Sequence, residues 1–119
     1  MQVHFNTQMT ELYKTTKGST YQCDVTNRIC IHFGETVAAF NIKDFLIFRR
    51  SMKTINIHDM IFNLSDAYDF EWIHSPKKEI SKKLTLCEII QLRDLLDGTK
   101  FSIDLNSILQ EKLGLGVYA

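Results

Sequence analysis

The chain has 119 residues, 45% of them hydrophobic and 24% charged, with 14 Lys/Arg balanced by 14 Asp/Glu. Those values exclude a disordered polypeptide and disfavour a strongly basic nucleic-acid binder, leaving only a local basic patch open. The length supports one domain over 1–119 with a core of its own, since a chain this size hides roughly two-thirds of its unfolded surface.

Residues 1–17 carry scattered apolar side chains without a clean period and predict a frayed start with a strand near 11–15. Residues 19–25 alternate, with Tyr21, Cys23 and Val25 on one face and Gln22 and Asp24 on the other. Residues 28–33 alternate more clearly, Ile29, Ile31 and Phe33 against Arg28, Cys30 and His32. A turn at Gly34-Glu35 leads into a third strand over 36–40, so this half reads as a β-meander with one side on a core.

The period then changes. Asn41 with Asp44 three residues on is a helix start, and Phe40 and Phe45 fit a hydrophobic staple. A helix over 42–52 follows, with Phe45, Phe48 and Met52 on its stripe. Residues 54–64 are rich in β-formers and predict one or two short strands. A turn at Ser65-Asp66, a strand over 69–74, a turn over 75–78 and a strand over 79–84 come next. Thr85 and Glu88 make a capping box for a helix over 86–97 with Ile89, Leu92 and Leu96 on its stripe. Gly98 reads as the glycine that ends that helix. A short last helix is expected after Asp104, with Ile103 and Ile108 as its staple and Gly114 as its end.

The expected fold is therefore α+β. It has an antiparallel sheet of five or six strands, two main helices on one face and a short C-terminal helix. The segments 40–52 and 84–96 also echo each other at an offset of 44, Asn41 matching Thr85, Asp44 matching Glu88, and Arg49 matching Arg93. Two explanations stay open: a duplicated ββα unit spanning about 19–53 and 69–98, or convergence, because any capped amphipathic helix after a strand places cap, staple and stripe at these spacings.

The run over 21–48, with its Phe33-Gly34 turn leading into an aromatic, acid-capped helix, resembles a family of small uncharacterised bacterial proteins best known from Bacteroidetes. The Thr-Leu-x-Glu-x-x-x-Leu-x-x-Leu-Leu pattern of 85–96 resembles the second helix of that family. The resemblance covers about two-thirds of the chain and implies a bacterial domain of unknown function. It brings no catalytic residue.

No run approaches the ~18 apolar residues of a membrane helix, and the first residues lack the basic start and apolar run of a secretory leader. Three cysteines, Cys23, Cys30 and Cys87, fit reduced thiols and a cytoplasmic location. Balanced charge gives little self-repulsion, so self-association or an unidentified protein partner is expected.

Three groups of residues could carry chemistry. Cys23, Cys30 and His32 are candidate metal ligands, and hairpin register decides their arrangement. A two-residue loop would set Cys23 opposite Cys30. A three-residue loop would pair Cys23 with Ile29 and put Tyr21, Cys23, Ile29 and Ile31 on the apolar face. The hydrophobic pattern favours the second. Trp72 with Lys77, Lys78, Lys82 and Lys83 is a candidate nucleic-acid surface beside Phe70, with Arg49, Arg50 and Lys53 as a second basic group. The same lysines also suit a hairpin guarded against edge aggregation. Cys87 lies in a first helical turn, where a thiol can be activated, and Asp66, Asp69 and Glu71 form a loose acidic cluster. His4, His32, His58 and His74 show no ligand spacing. No phosphate-loop, dinucleotide or nucleophile-elbow motif is present, so no cofactor is implied. The expected function is a non-catalytic interaction module, self-associating as a homodimer. A nucleic-acid binder is the first alternative and a metal- or thiol-dependent protein the second.

Overall fold

The computed structural model describes residues 9–62 and 70–109. The fold is α+β. Strands β1 (Met9–Lys14), β2 (Gly18–Cys23), β3 (Ile29–Phe33) and β4 (Thr36–Phe40) form an antiparallel sheet in the order β1-β2-β3-β4. Helices α1 (Ile42–Lys53) and α2 (Ile57–Phe62) follow. Among the described residues, strands β5 (Phe70–His74) and β6 (Ser81–Thr85) then pair only with each other, and α3 (Leu86–Ile108) follows. The single five- or six-stranded sheet expected from sequence is thus two sheets of four and two strands. The chain leaves β4 directly into α1, so β5 does not extend the β4 edge. Side chains bridge the two sheets instead, Lys82 Nζ donating to Thr36 Oγ1 at 3.1 Å.

The meander forms where the alternation predicted it, but the β2–β3 register differs. Tyr21 pairs with Cys30 and Gln22 with Ile29. The connection is a four-residue loop over 24–27, closed by Asn27 N donating to Cys23 O at 2.8 Å, with Asn27 at φ +62°. Neither shorter loop occurs. The expected apolar face of Tyr21, Cys23, Ile29 and Ile31 is overturned. Ile29, Ile31 and Phe33 face the core, while Tyr21 and Cys23 lie on the opposite side with Cys30 and His32. On β2 the core position belongs to Thr20, fully buried, whose hydroxyl lies 2.6 Å from that of Thr99. A buried hydroxyl pair of this kind satisfies itself and packs like an apolar group. In β1 a bulge between Glu11 and Tyr13 turns both Leu12 and Tyr13 toward the core. Such a doubling cannot be read from a period of two.

Helix α1 starts as expected, Asn41 Oδ1 accepting from Asp44 N at 2.7 Å, and buries Phe45, Phe48 and Met52. Residues 54–64 are not strands over their described part, since 57–62 are α2. The missed signal is Asn56, whose Oδ1 accepts from Asp59 N at 3.0 Å, the same cap spacing as Asn41 and Asp44. Three isoleucines and a threonine masked it, because local capping outweighs a propensity difference of a few tenths of a kcal/mol per residue.

The capping box of Thr85 and Glu88 is present. The expected end at Gly98 and the separate helix after Asp104 are not. Helix α3 runs through both as one 23-residue rod. Gly98 is there for proximity rather than for a cap. A Cβ on it would lie 2.2–2.4 Å from Tyr13 ring carbons. The rod packs against β1, β2, β6, α1 and α2, burying Ile89, Leu92, Leu95 and Leu96. Its far end leaves Phe101, Leu105 and Ile108 exposed. Each long helix follows a hairpin, but the two hairpins belong to different sheets and the helices have 12 and 23 residues. Gly114 and the tail lie outside the described residues.

Candidate functional site

The β5–β6 hairpin is fixed at its turn. Ser75, buried, donates through Oγ to Glu79 Oε1 at 2.6 Å and accepts from Ile80 N at 2.9 Å. Lys77 N also donates to Glu79 Oε1, at 3.0 Å. Partial burial pushes the Glu79 carboxyl up, but the Ser75 hydroxyl, backbone N–H groups and the Lys77 charge together hold it below its ordinary 4.5. A depressed folded value adds stability above the unfolded pKa that is lost as pH falls through the folded one. Between ~pH 6 and ~pH 3.5 the wild type should therefore lose more unfolding free energy than Glu79→Gln, measured by urea titration. Equal losses would show that Glu79 does not hold the turn.

That turn sets the two faces of the hairpin. Ile73 and Leu84 point inward and are buried. Phe70, Trp72 and His74 form a row on the outer face, Trp72 60% and Phe70 44% exposed. The Trp72 and His74 rings are parallel within 5°, their centroids 6.1 Å apart. Ser81 Oγ lies 2.9 Å from His74 Nδ1 and orients that ring. Lys83, opposite Trp72, holds its ammonium 4.9 Å from the Phe70 centroid, a cation–π distance. Beside the row is an open cavity of about 250 Å³ lined by Ser51, Met52 and Ile55 from the α1 end and by Trp72, Ile73 and His74 from β5. Residues from both faces of β5 line it, so it lies alongside the strand.

The structure separates the candidate cations. Lys83 alone of the four hairpin lysines shares the Trp72 face. Lys82 reaches Thr36, Lys77 Nζ lies 3.4 Å from Asp44 Oδ2, and Lys78 occupies the turn at φ +59°. Arg49 bonds Asp97 at 2.9 Å and Lys53 approaches the same carboxylate at 3.7 Å, so both help dock α1 on α3. Arg50, exposed, and Lys53 stand on the last turn of α1 next to the cavity. The charge is unevenly spread along the chain. Helix α1 and the hairpin carry eight Lys/Arg (Lys43, Arg49, Arg50, Lys53, Lys77, Lys78, Lys82, Lys83) against three acids (Asp44, Glu71, Glu79). The other residues hold six Lys/Arg against eleven Asp/Glu. Helix α1 and the hairpin thus carry a formal excess of five cations in sequence, of which Arg49 and Lys53 are met by Asp97 of α3 and Lys77 by Asp44. The two segments are separate in sequence and border one cavity, whose lining residues include no Lys or Arg.

Cys23, Cys30 and His32 share the outer face of the meander, Cys23 opposite Arg28 and Cys30 opposite Tyr21. The two thiols are diagonal neighbours rather than a facing pair, and His32 meets the Tyr21 ring edge-on at 5.4 Å. Among the described residues no cluster of three or more His, Cys, Asp or Glu could hold a metal ion. Hydrogen bonds from Thr26, then from the Val25 backbone, hold the Cys23 thiol below its ordinary 9.0. Burial, then the neighbouring Cys23, pushes Cys30 above it. Since the thiolate is the nucleophile, limited iodoacetamide should label Cys23 before Cys30, as read by peptide mass spectrometry, and Thr26→Pro should slow Cys23 by removing the donor. Labelling of Cys30 first would contradict this loop. Cys87 is exposed in the first turn of α3. Glu71 is exposed on β5, while Asp66, Asp69 and His4 lie outside the described residues. His58 packs on Phe62, centroids 4.5 Å apart.

No helix among the described residues is long and apolar enough to cross a membrane. No protein-family model, no curated protein and no solved structure matches the chain.

Proposed function

We propose that the chain is a non-catalytic interaction module that binds an anionic partner through the face made by the β5–β6 hairpin and the end of α1. The observation that carries this is the coincidence of an exposed aromatic row, an open cavity beside it, and the exposed cations Lys83 on the same face and Arg50 on the last turn of α1. Exposed aromatics beside cations are the usual content of a binding surface, because they supply contact area at low entropic cost while long-range charge steers the approach. The bacterial family resemblance and a cytoplasmic setting remain part of the same proposal.

Trp72 is the only tryptophan, so its emission reports on this face directly. Titration with a panel of polyanions (heparin, polyglutamate, mixed RNA) at low salt should change that emission, and the response should weaken as salt rises. An unchanged spectrum with every polyanion would end the proposal.

A further inference from the structure

Building on that proposal, we infer that the anionic partner is single-stranded nucleic acid, one base of which enters the cavity between β5 and the end of α1. The cavity wall is apolar at Met52, Ile55 and Ile73 and presents rings at Trp72 and His74. The Ser51 hydroxyl there already donates to the Phe48 carbonyl at 2.8 Å. An ion would be poorly solvated there. A neutral planar group would be well accommodated. At about 250 Å³ the space is below the ~300 Å³ at which pockets for whole small molecules begin, so it suits a single ring system. The charges stand outside it, Lys83 across the ladder from Trp72 and Arg50 on the adjoining helical turn.

The ligand that fits is therefore uncharged and flat at its tip and anionic along its length. A nucleotide chain has that form. An acidic peptide and a sulfated polysaccharide carry the charge without the stacking face. A duplex keeps its bases stacked and paired, so only an unpaired strand can present one without a cost of a few kcal/mol. Base stacking on exposed aromatics tolerates every base, so recognition on this face is insensitive to sequence. Glu71 points away from the Trp72 face, as strand alternation requires, and does not oppose the phosphates there.

The test uses the intact protein and labelled short single strands of RNA and DNA, with the matching duplex, heparin and polyglutamate as controls. Anisotropy and Trp72 emission are read between ~50 and ~200 mM salt. The expected result is single-strand binding with Trp72 quenching, weaker duplex binding, and a loss of about 5- to 100-fold for Trp72→Leu. Lys83→Gln should weaken binding to all sequences alike and reduce the salt slope by about 0.7. Trp72 and Lys83 are exposed, and both variants should keep the wild-type circular dichroism spectrum. Heparin or polyglutamate binding as tightly as the single strand, with no effect of Trp72→Leu, would overturn the nucleic-acid inference and leave the anionic-partner proposal standing. Binding to none of the polyanions would overturn both.

Discussion

Replacing Phe48 by Ala should destabilise the protein by about 3–5 kcal/mol, the range for emptying a fully buried aromatic site. Phe48 is wholly buried on α1, its ring stacked on Phe40 of β4 at 5.4 Å and 10°. Phe40 in turn pairs with Ile29 across the ladder, so the lost ring is the contact through which helix and sheet hold each other. Domains of this size have roughly 5–15 kcal/mol in total. The variant would keep little more than half of it, and in a marginal background would not fold. Urea unfolding at constant m-value measures the difference. Phe48→Leu, which retains most of the volume, should cost less than about 2 kcal/mol. A loss below 1 kcal/mol for the alanine variant would mean that α1 does not pack on β4 as described.

Gly18→Ala should cost about 3 kcal/mol, at the upper end for overpacking. A Cβ at Gly18 would lie 2.4 Å from the carbonyl oxygen of His32 and 3.0 Å from Leu95 Cδ2. The first obstacle is backbone inside a ladder and cannot turn aside. Relief requires β2 and β3 to separate where Gly18 pairs with Phe33. Gly98 is the instructive contrast, because its obstacle is the Tyr13 side chain rather than backbone, and alanine there also gains helix propensity of about 1 kcal/mol. Thermal unfolding of both variants should rank Gly18→Ala well below Gly98→Ala. The reverse order would show that the β2–β3 contact is looser than the geometry requires.

Capping and periodicity explain what was legible in the sequence. The starts of α1 and α3, the strands of the meander and the turn at Gly34 all follow from local chemistry, in which a side chain satisfies groups three or four residues away. What escaped depends on partners far along the chain. Gly98 has a helix-ending signature, yet its role is set by Tyr13. Thr20 looks like a surface residue of a strand until Thr99 supplies its hydroxyl partner. The β2–β3 register turned on Asn27 adopting a left-handed conformation in a four-residue loop, and the hydrophobic pattern pointed to the wrong face because Tyr21 and Cys23 are apolar yet only half-buried on the side away from the core. The candidate site was legible in part. Trp72 and Lys83 were visible as an aromatic–basic pair, but the cavity needs Ser51 and Met52 from the end of α1 and Ile55 just after it, far back along the chain from β5. The lysines were read as one patch, whereas strand alternation and contacts with Asp44 and Thr36 divide them.

The long rod α3 has a consequence for the order in which the protein can be made. It is the last described element and touches the four-stranded sheet, the hairpin and both other helices. At a synthesis rate of ~5–20 residues per second its 23 residues take on the order of 1–5 s to appear. Until then the meander and α1 have no surface against which to bury the side of the core that Leu92, Leu95 and Leu96 complete. The nascent chain on the ribosome is therefore a set of apolar faces waiting for one helix, and the same delay applies to any fragment that stops short of Leu86.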